Sequence, residues 1–149
     1  MTSRKRFHIW SAVLMFAALP ACSQAPVPEG LVLAVSLRDG AWCNSEDNGK
    51  TCSAYDDFRE DGTIAACGQF SDDRRPFSAQ GTYEVKGRFT CFVVTEASET
   101  FGLKPGYKFC TESLKIDAKE HTYRDVETGE ITTQYRVPKT AMKCPTEAV

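Results

Sequence analysis

From Leu31 onward the chain alternates short runs rich in Val, Thr, Tyr and Phe with Asp-Gly, Lys-Gly and Thr-Gly pairs. Period-2 runs bounded by such pairs predict strands joined by tight turns. Gly40-Ala41-Trp42-Cys43 opens the first strand, and Asn44 to Lys50 is a polar turn containing Asn48-Gly49. Thr51 to Phe58 and Thr63 to Phe70 flank Arg59-Glu60-Asp61-Gly62, the strongest hairpin signal. Ser71 to Pro76 is charged and loop-like. Gly81 to Val85 alternates, turns at Lys86-Gly87 and continues as Arg88 to Thr95. Glu96 to Gly106 is a longer connection, followed by a strand over Tyr107 to Asp117. Thr122 to Val126 and Ile131 to Val137 are joined by Glu127-Thr128-Gly129-Glu130. The pattern predicts an all-β chain of about seven or eight strands, an antiparallel meander forming a small barrel or strongly curved sheet. Helix is nearly absent; Leu31 to Leu37 is aliphatic and reads equally as a strand or a short helix. No internal repeat is visible.

Such a sheet closes around large side chains. Trp42, Phe58, Phe70, Tyr83, Phe89 or Phe92, Phe109 and Tyr135 are the expected fillers, each able to bury ~150–250 Å². Three short stretches resemble the lipocalin-like (calycin) barrels of small bacterial lipoproteins: Gly40-x-Trp42, Phe58 before Asp61-Gly62-Thr63, and Gly81-x-Tyr83-x-Val85-x-Gly87. The resemblance covers residues 37–137. It implies an up-and-down barrel whose interior takes an apolar small molecule, with Trp42, Phe58, Tyr83, Phe109 and Tyr135 as candidate lining residues. The chain is shorter than full lipocalins, carries extra cysteines and shows no clear C-terminal helix.

The first 30 residues have a different character. Arg4-Lys5-Arg6 precedes an apolar run from Ile9 to Leu19, shorter than the roughly 20 residues a membrane span needs. A basic start, a short apolar stretch and small residues at its end describe an export signal. Leu19-Pro20-Ala21-Cys22 resembles a bacterial lipobox, which implies lipid modification of Cys22 and attachment to a membrane through that anchor. Ser23, in place of an aspartate, implies sorting to the outer membrane and a periplasm-facing domain. The expected organisation is a signal peptide over residues 1–21, a tether over 22–30, a lipocalin-like β domain over 31–139 and a tail over 140–149.

Charge then narrows the partners. The whole chain of 149 residues has 18 Lys+Arg against 20 Asp+Glu. Cleavage before Cys22 removes Arg4, Lys5 and Arg6 and no acid, leaving 15 against 20, a net of −5. An acidic exported domain does not present the basic face that nucleic acid requires.

Six cysteines remain after Cys22: Cys43, Cys52, Cys67, Cys91, Cys110 and Cys144. An even set in an exported domain predicts three disulfides. Residues facing each other across an antiparallel turn are centred on that turn. Cys91 and Cys110 centre between Thr100 and Phe101, inside the Glu96–Gly106 connection, so they are expected to face each other. Cys43 and Cys52 centre on Asp47-Asn48, which leaves Cys67 for Cys144. A second scheme, Cys52–Cys67 with Cys43–Cys144, is equally compatible with the turns.

Candidate chemistry is thin. Asn44-x-Glu46-x-Asn48-Gly49 opens like an EF-hand loop, but its twelfth position is Tyr55 where a glutamate is needed. Asp56 and Asp57 lie on opposite faces of a strand and do not share a site. Asp72-Asp73-Arg74-Arg75 reads as a solvated loop. His121, the one histidine beyond the signal, has no nucleophile motif beside it and is expected to be exposed. No metal-ligand spacing or phosphate-binding glycine loop occurs, so neither an enzyme nor a cofactor is expected. Two function classes remain. One is a small-ligand-binding module with an open, aromatic-lined interior. The other is a protein-binding module, such as an inhibitor or immunity-type protein, with a solid core and recognition through Ser71–Pro76 and Glu96–Gly106. A structural envelope lipoprotein is the third, plainer reading.

Overall fold

The computed structural model describes residues 29–144. The signal segment, the lipobox with Cys22, most of the tether and residues 145–149 lie outside the described residues. Eight antiparallel strands follow one another in chain order and close into a barrel. They are β1 (Ala41–Asn44), β2 (Ala54–Phe58), β3 (Thr63–Gln69), β4 (Pro76–Lys86), β5 (Phe89–Ala97), β6 (Lys108–Ile116), β7 (Glu120–Asp125) and β8 (Ile131–Val137). Closure comes from β1, which pairs with β2 on one edge and β8 on the other, setting Trp42 opposite Asp56 and Arg136.

The undecided aliphatic stretch is a helix, α1 (Glu29–Arg38), which begins inside the segment read as tether. Leu33, Ala34 and Leu37 share its buried face, while Leu31, Val32 and Val35 are exposed. Glu29 in the first turn and Arg38 in the last complement the helix dipole. α1 caps one barrel end, where Leu33 and Leu37 pack with Trp42, Phe58 and Tyr83. Two glycines make this docking fit. A Cβ on Gly30 would stand 3.1 Å from the backbone nitrogen of Gly87. Gly40, at φ +97°, turns the chain from α1 into β1 in a region side chains avoid.

Trp42 anchors this end. Its side chain is fully buried, its indole N–H donates to the Leu37 carbonyl at 2.8 Å, and the Arg136 guanidinium lies 4.8 Å from its ring centroid. Arg38 Nε donates to the Tyr83 hydroxyl at 2.8 Å, and that hydroxyl donates to the Arg59 carbonyl at 2.8 Å. Phe58 meets Tyr83 edge-on at 5.0 Å.

The cysteines pair as Cys43–Cys52, Cys67–Cys144 and Cys91–Cys110, the first of the two schemes. Cys91 lies directly opposite Cys110 in the β5–β6 register, with Cα atoms 4.0 Å apart, the close spacing of a non-hydrogen-bonded pair. Cys43 and Cys67 lie with Tyr55 in a small outer cluster that Val137 and Met142 cover.

Local hydrogen bonding moved several boundaries. β2 starts at Ala54 because Asp47 accepts from Thr51 N–H at 2.8 Å and Thr51 Oγ1–H at 2.7 Å, folding residues 45–52 into a loop. β7 starts at Glu120 because Asp117 Oδ1 accepts from the N–H groups of Lys119 and Glu120, tightening the preceding turn. β4 runs back to Pro76 and shifts register at Gln80/Gly81.

Of the alternatives Phe89 and Phe92, the second points inward, and two expected fillers, Phe70 and Tyr135, lie elsewhere. Phe89 is 41% exposed. Phe70, beyond the end of β3, packs on Phe77 at 4.8 Å. Tyr135 alternates with buried Gln134 and faces out, lying on Gly49 and donating to Asn48 Oδ1 at 2.9 Å.

Trp42→Ala is expected to lower the unfolding free energy by ~3–5 kcal/mol. Trp42→Phe should cost less, ~1–3 kcal/mol, because mainly the bond to the Leu37 carbonyl is lost. Urea unfolding of the two variants measures both; a loss below ~1 kcal/mol in Trp42→Ala is incompatible with its anchoring role.

Candidate functional site

Above the plugged base the barrel holds a cavity of about 370 Å³, within the range of small-molecule sites. Leu37 of α1 contributes to its floor. One wall is apolar: Phe58, Ile64, Phe77, Phe92 and Phe109 come from β2 to β6. Phe92 and Phe109, opposite each other in the register, stack with centroids 4.8 Å apart, and Phe58 lies 6.1 Å from Phe92. The other wall is polar: Asn44 of β1, Asp56 of β2, His121 and Tyr123 of β7, and Thr132 and Gln134 of β8. Asp125, Thr128 and Glu130, around the β7–β8 turn, form its mouth, and Thr128 and Glu130 are exposed there. A broader groove of about 710 Å³ lies on the outside, between the Cys43–Cys52 loop and Lys143–Cys144. The interior cavity is the better candidate because its polar groups are withdrawn from water with incomplete partners.

Gln134 organises the polar wall. Its Nε2 donates to Asn44 Oδ1 at 3.2 Å and to Asp56 Oδ2, joining three strands. Burial pushes the Asp56 carboxyl up to about 6, against the Gln134 hydrogen bond, which pulls it down. The surface Asp56 keeps faces cavity space; protein surrounds it on the other sides, which is why its charge is so poorly solvated. Asp57 points the other way and pairs with Arg59 at 3.2 Å and Lys139 at 2.7 Å. The two acids therefore occupy opposite faces, as strand alternation requires.

His121 is 3% exposed, a correction to the exposed histidine expected from sequence. It sits in β7 opposite Gln134, and its ring lies 5.5 Å from Trp42 and 5.2 Å from Tyr123. Burial lowers its pKa to about 4, so the imidazole is neutral at physiological pH. Burial, with the Asp56 charge second, raises Tyr123, which stays a neutral phenol. Two polar atoms of lining residues have no hydrogen-bond partner among the described residues: His121 Nδ1 and Thr90 Oγ1.

His121 Nε2 lies 2.9 Å from Ser113 Oγ, a contact that superficially resembles a base beside a nucleophile. A base with so low a pKa draws little proton at pH 7, and no hydrogen bond among the described residues orients its Nδ1. Ser113, moreover, is not among the residues lining the cavity.

Of the five aromatic residues expected to line a ligand space, Phe58 and Phe109 do so. Trp42 and Tyr83 are corrected to the solid layer beneath, because α1 packs onto them, and Tyr135 to the outer face by strand parity. Sequence reasoning missed Asp56, His121, Tyr123 and Gln134. For Asp56 the signal existed: it is two residues from Phe58, so if Phe58 faces in, Asp56 does too. Choosing Tyr135 as a filler placed Gln134 outside by the same rule.

The fold and site together define an eight-stranded up-and-down β-barrel with one end plugged and an amphipathic interior reached from the other. No protein-family model matches the chain, and no curated protein does. Among solved structures the chain is similar to a lipocalin-like protein from Bacteroides uniformis, at 16% identity over 67% of this chain and 98% of that one, with a TM-score of 0.49.

The two interior titrations oppose each other. Asp56 binds its proton more tightly folded than unfolded, so acidification from about pH 6 towards 4 stabilises the fold through it. His121 binds its proton less tightly folded, so acidification from about pH 6.5 towards 4 destabilises. Each is worth up to about 3 kcal/mol by linkage, and in the wild type they nearly cancel between pH 6 and 4.5. Asp56→Asn is expected to lose stability steadily over that window, and His121→Gln to gain it. Urea midpoints of the three proteins against pH measure this; three parallel profiles contradict the burial of these groups.

Proposed function

We propose that this protein is an exported, membrane-anchored binding barrel that takes up a small molecule with an apolar body and a polar end. The carrying observation is the interior cavity of about 370 Å³, with an aromatic wall facing a hydrogen-bonding wall. A ligand there exchanges apolar surface with Phe92 and Phe109 and meets polar groups that lack full partners. The protein-binding alternative goes with a filled interior, and a cavity of this size favours the ligand. The proposed role is binding without catalysis, in keeping with the low basicity of His121.

Three disulfides point to an oxidising extracellular or periplasmic compartment. The finer placement, lipid on Cys22 and attachment to the outer membrane facing the periplasm, is supported by the Leu19–Cys22 lipobox and by the even cysteine count that remains. An anchor with more than one acyl chain holds a protein stably at a membrane, whereas a single chain binds marginally.

Ala66 lines the cavity opposite Asp56 and Ala79 in the register, so a large side chain there fills the space. The apolar dye N-phenylnaphthylamine is expected to fluoresce strongly with the wild type and at least about tenfold less with Ala66→Trp, at similar unfolding midpoints. Equal fluorescence from both means the dye is not held inside and removes the support for this reading. Separately, labelled palmitate should enter the wild type in its bacterial host and not Cys22→Ser, which should be recovered as a soluble form. Absence of label from the wild type overturns the anchor.

A further inference from the structure

The charges around the cavity have one sign. Asp56 stands in the wall, and Asp125 and Glu130 at the mouth, while among the described residues no lysine or arginine lines the cavity. Nearby bases are engaged elsewhere. Arg124 pairs with Glu112 at 3.4 Å, Lys139 pairs with Asp57 at 2.7 Å, and Arg136 lies over Trp42 and pairs with Asp39. A mouth and wall of one sign concentrate ions of the other.

Asp56 is met by an amide, not by a cation. The Gln134 N–H donates to one carboxylate oxygen but does not neutralise the charge. A carboxylate withdrawn from water without a counter-ion is costly, and an arriving cation relieves that cost.

The unpartnered atoms have matching chemistry. Thr90 is 1% exposed and His121 3% exposed, and both line the cavity with a polar atom left unpaired. The Ser113 Oγ–His121 Nε2 contact accommodates either donor; in the tautomer whose Nε2–H donates to Ser113, Nδ1 presents a bare lone pair, and the Thr90 hydroxyl oxygen also accepts. An ammonium group has three donors and no acceptor, so it suits a wall of acceptors. The facing phenyl rings of Phe58, Phe92 and Phe109 accommodate an apolar body and attract a cation through their faces.

We propose that the cavity selects a small organic cation, a primary amine on an aromatic or aliphatic body, with its ammonium at Asp56 and its body against the Phe92–Phe109 stack. This rests on the ligand-binding reading and narrows it. A carboxylate ligand meets like charge at the mouth and in the wall, and a neutral one leaves Asp56 uncompensated.

The test uses three compounds of similar shape: phenethylamine, phenethyl alcohol and hydrocinnamate. Each displaces N-phenylnaphthylamine from the purified full-length protein at neutral pH. Phenethylamine is expected to displace the dye at about one-tenth of the alcohol's concentration, with hydrocinnamate weakest. Asp56→Asn should reduce the amine's advantage to within about threefold, whereas Asp57→Asn, which removes the adjacent outward charge, keeps it. Equal displacement by amine and alcohol in the wild type, or an advantage that survives Asp56→Asn, overturns cation selection. If the dye binds inside, as its loss in Ala66→Trp reports, that outcome leaves ligand binding standing. If neither the dye nor any compound binds, both readings fall.

Discussion

β1 is four residues long, yet Ala41–Asn44 pairs with β2 on one side and β8 on the other, and this double pairing turns a meander into a barrel. So short a strand has few hydrogen bonds of its own. It is held by its side chains instead: Trp42 is sealed beneath α1 and bonded to the Leu37 carbonyl, and Cys43 is tied across its loop to Cys52. The helix, the first strand and the closure are therefore one unit, and the site above depends on it.

The plug also decides where open space is left. Large side chains concentrate at the α1 end, where Trp42, Phe58 and Tyr83 meet Leu33 and Leu37. Towards the other end the interior residues include Ala66, Ala79 and Gly81, which leave the middle of the barrel unfilled. None of the six disulfide cysteines lines the cavity. The covalent ties thus stabilise a small barrel from outside and leave the interior to chemistry unrelated to stability.

That interior runs against what stability alone would select. Asp56, His121 and Gln134 are polar side chains removed from bulk water, and two polar atoms on the lining have no protein partner among the described residues. Local departures of this kind, in an otherwise consistent fold, gather where a protein meets something else. The same burial disfavours the charged form of both Asp56 and His121, raising the pKa of one and lowering that of the other. Their neighbour Gln134 is neutral, and it links Asn44 to Asp56 through a single amide nitrogen.

The strand class, the turns and the Cys91–Cys110 bridge were legible in the sequence because each is local chemistry, whereas the choice between Cys43–Cys52 and Cys52–Cys67 came only with the structure. Asp61-Gly62 and Lys86-Gly87 set their hairpins within four residues, and Cys91 and Cys110 follow from the turn between them. Alternation likewise separates Asp56 from Asp57 with no knowledge of the rest. Which of the two faces is the inside was not legible locally. That choice depends on distant partners: β8 across β1 puts Gln134 in and Tyr135 out, and the register shifts at Gln80/Gly81 and Ser113/Lys115 break any count carried along a strand. The same holds for α1. Its aliphatic residues satisfy a strand or a helix equally well in isolation, and what selects the helix is the hydrophobic end of a barrel that exists only once β1 has met β8.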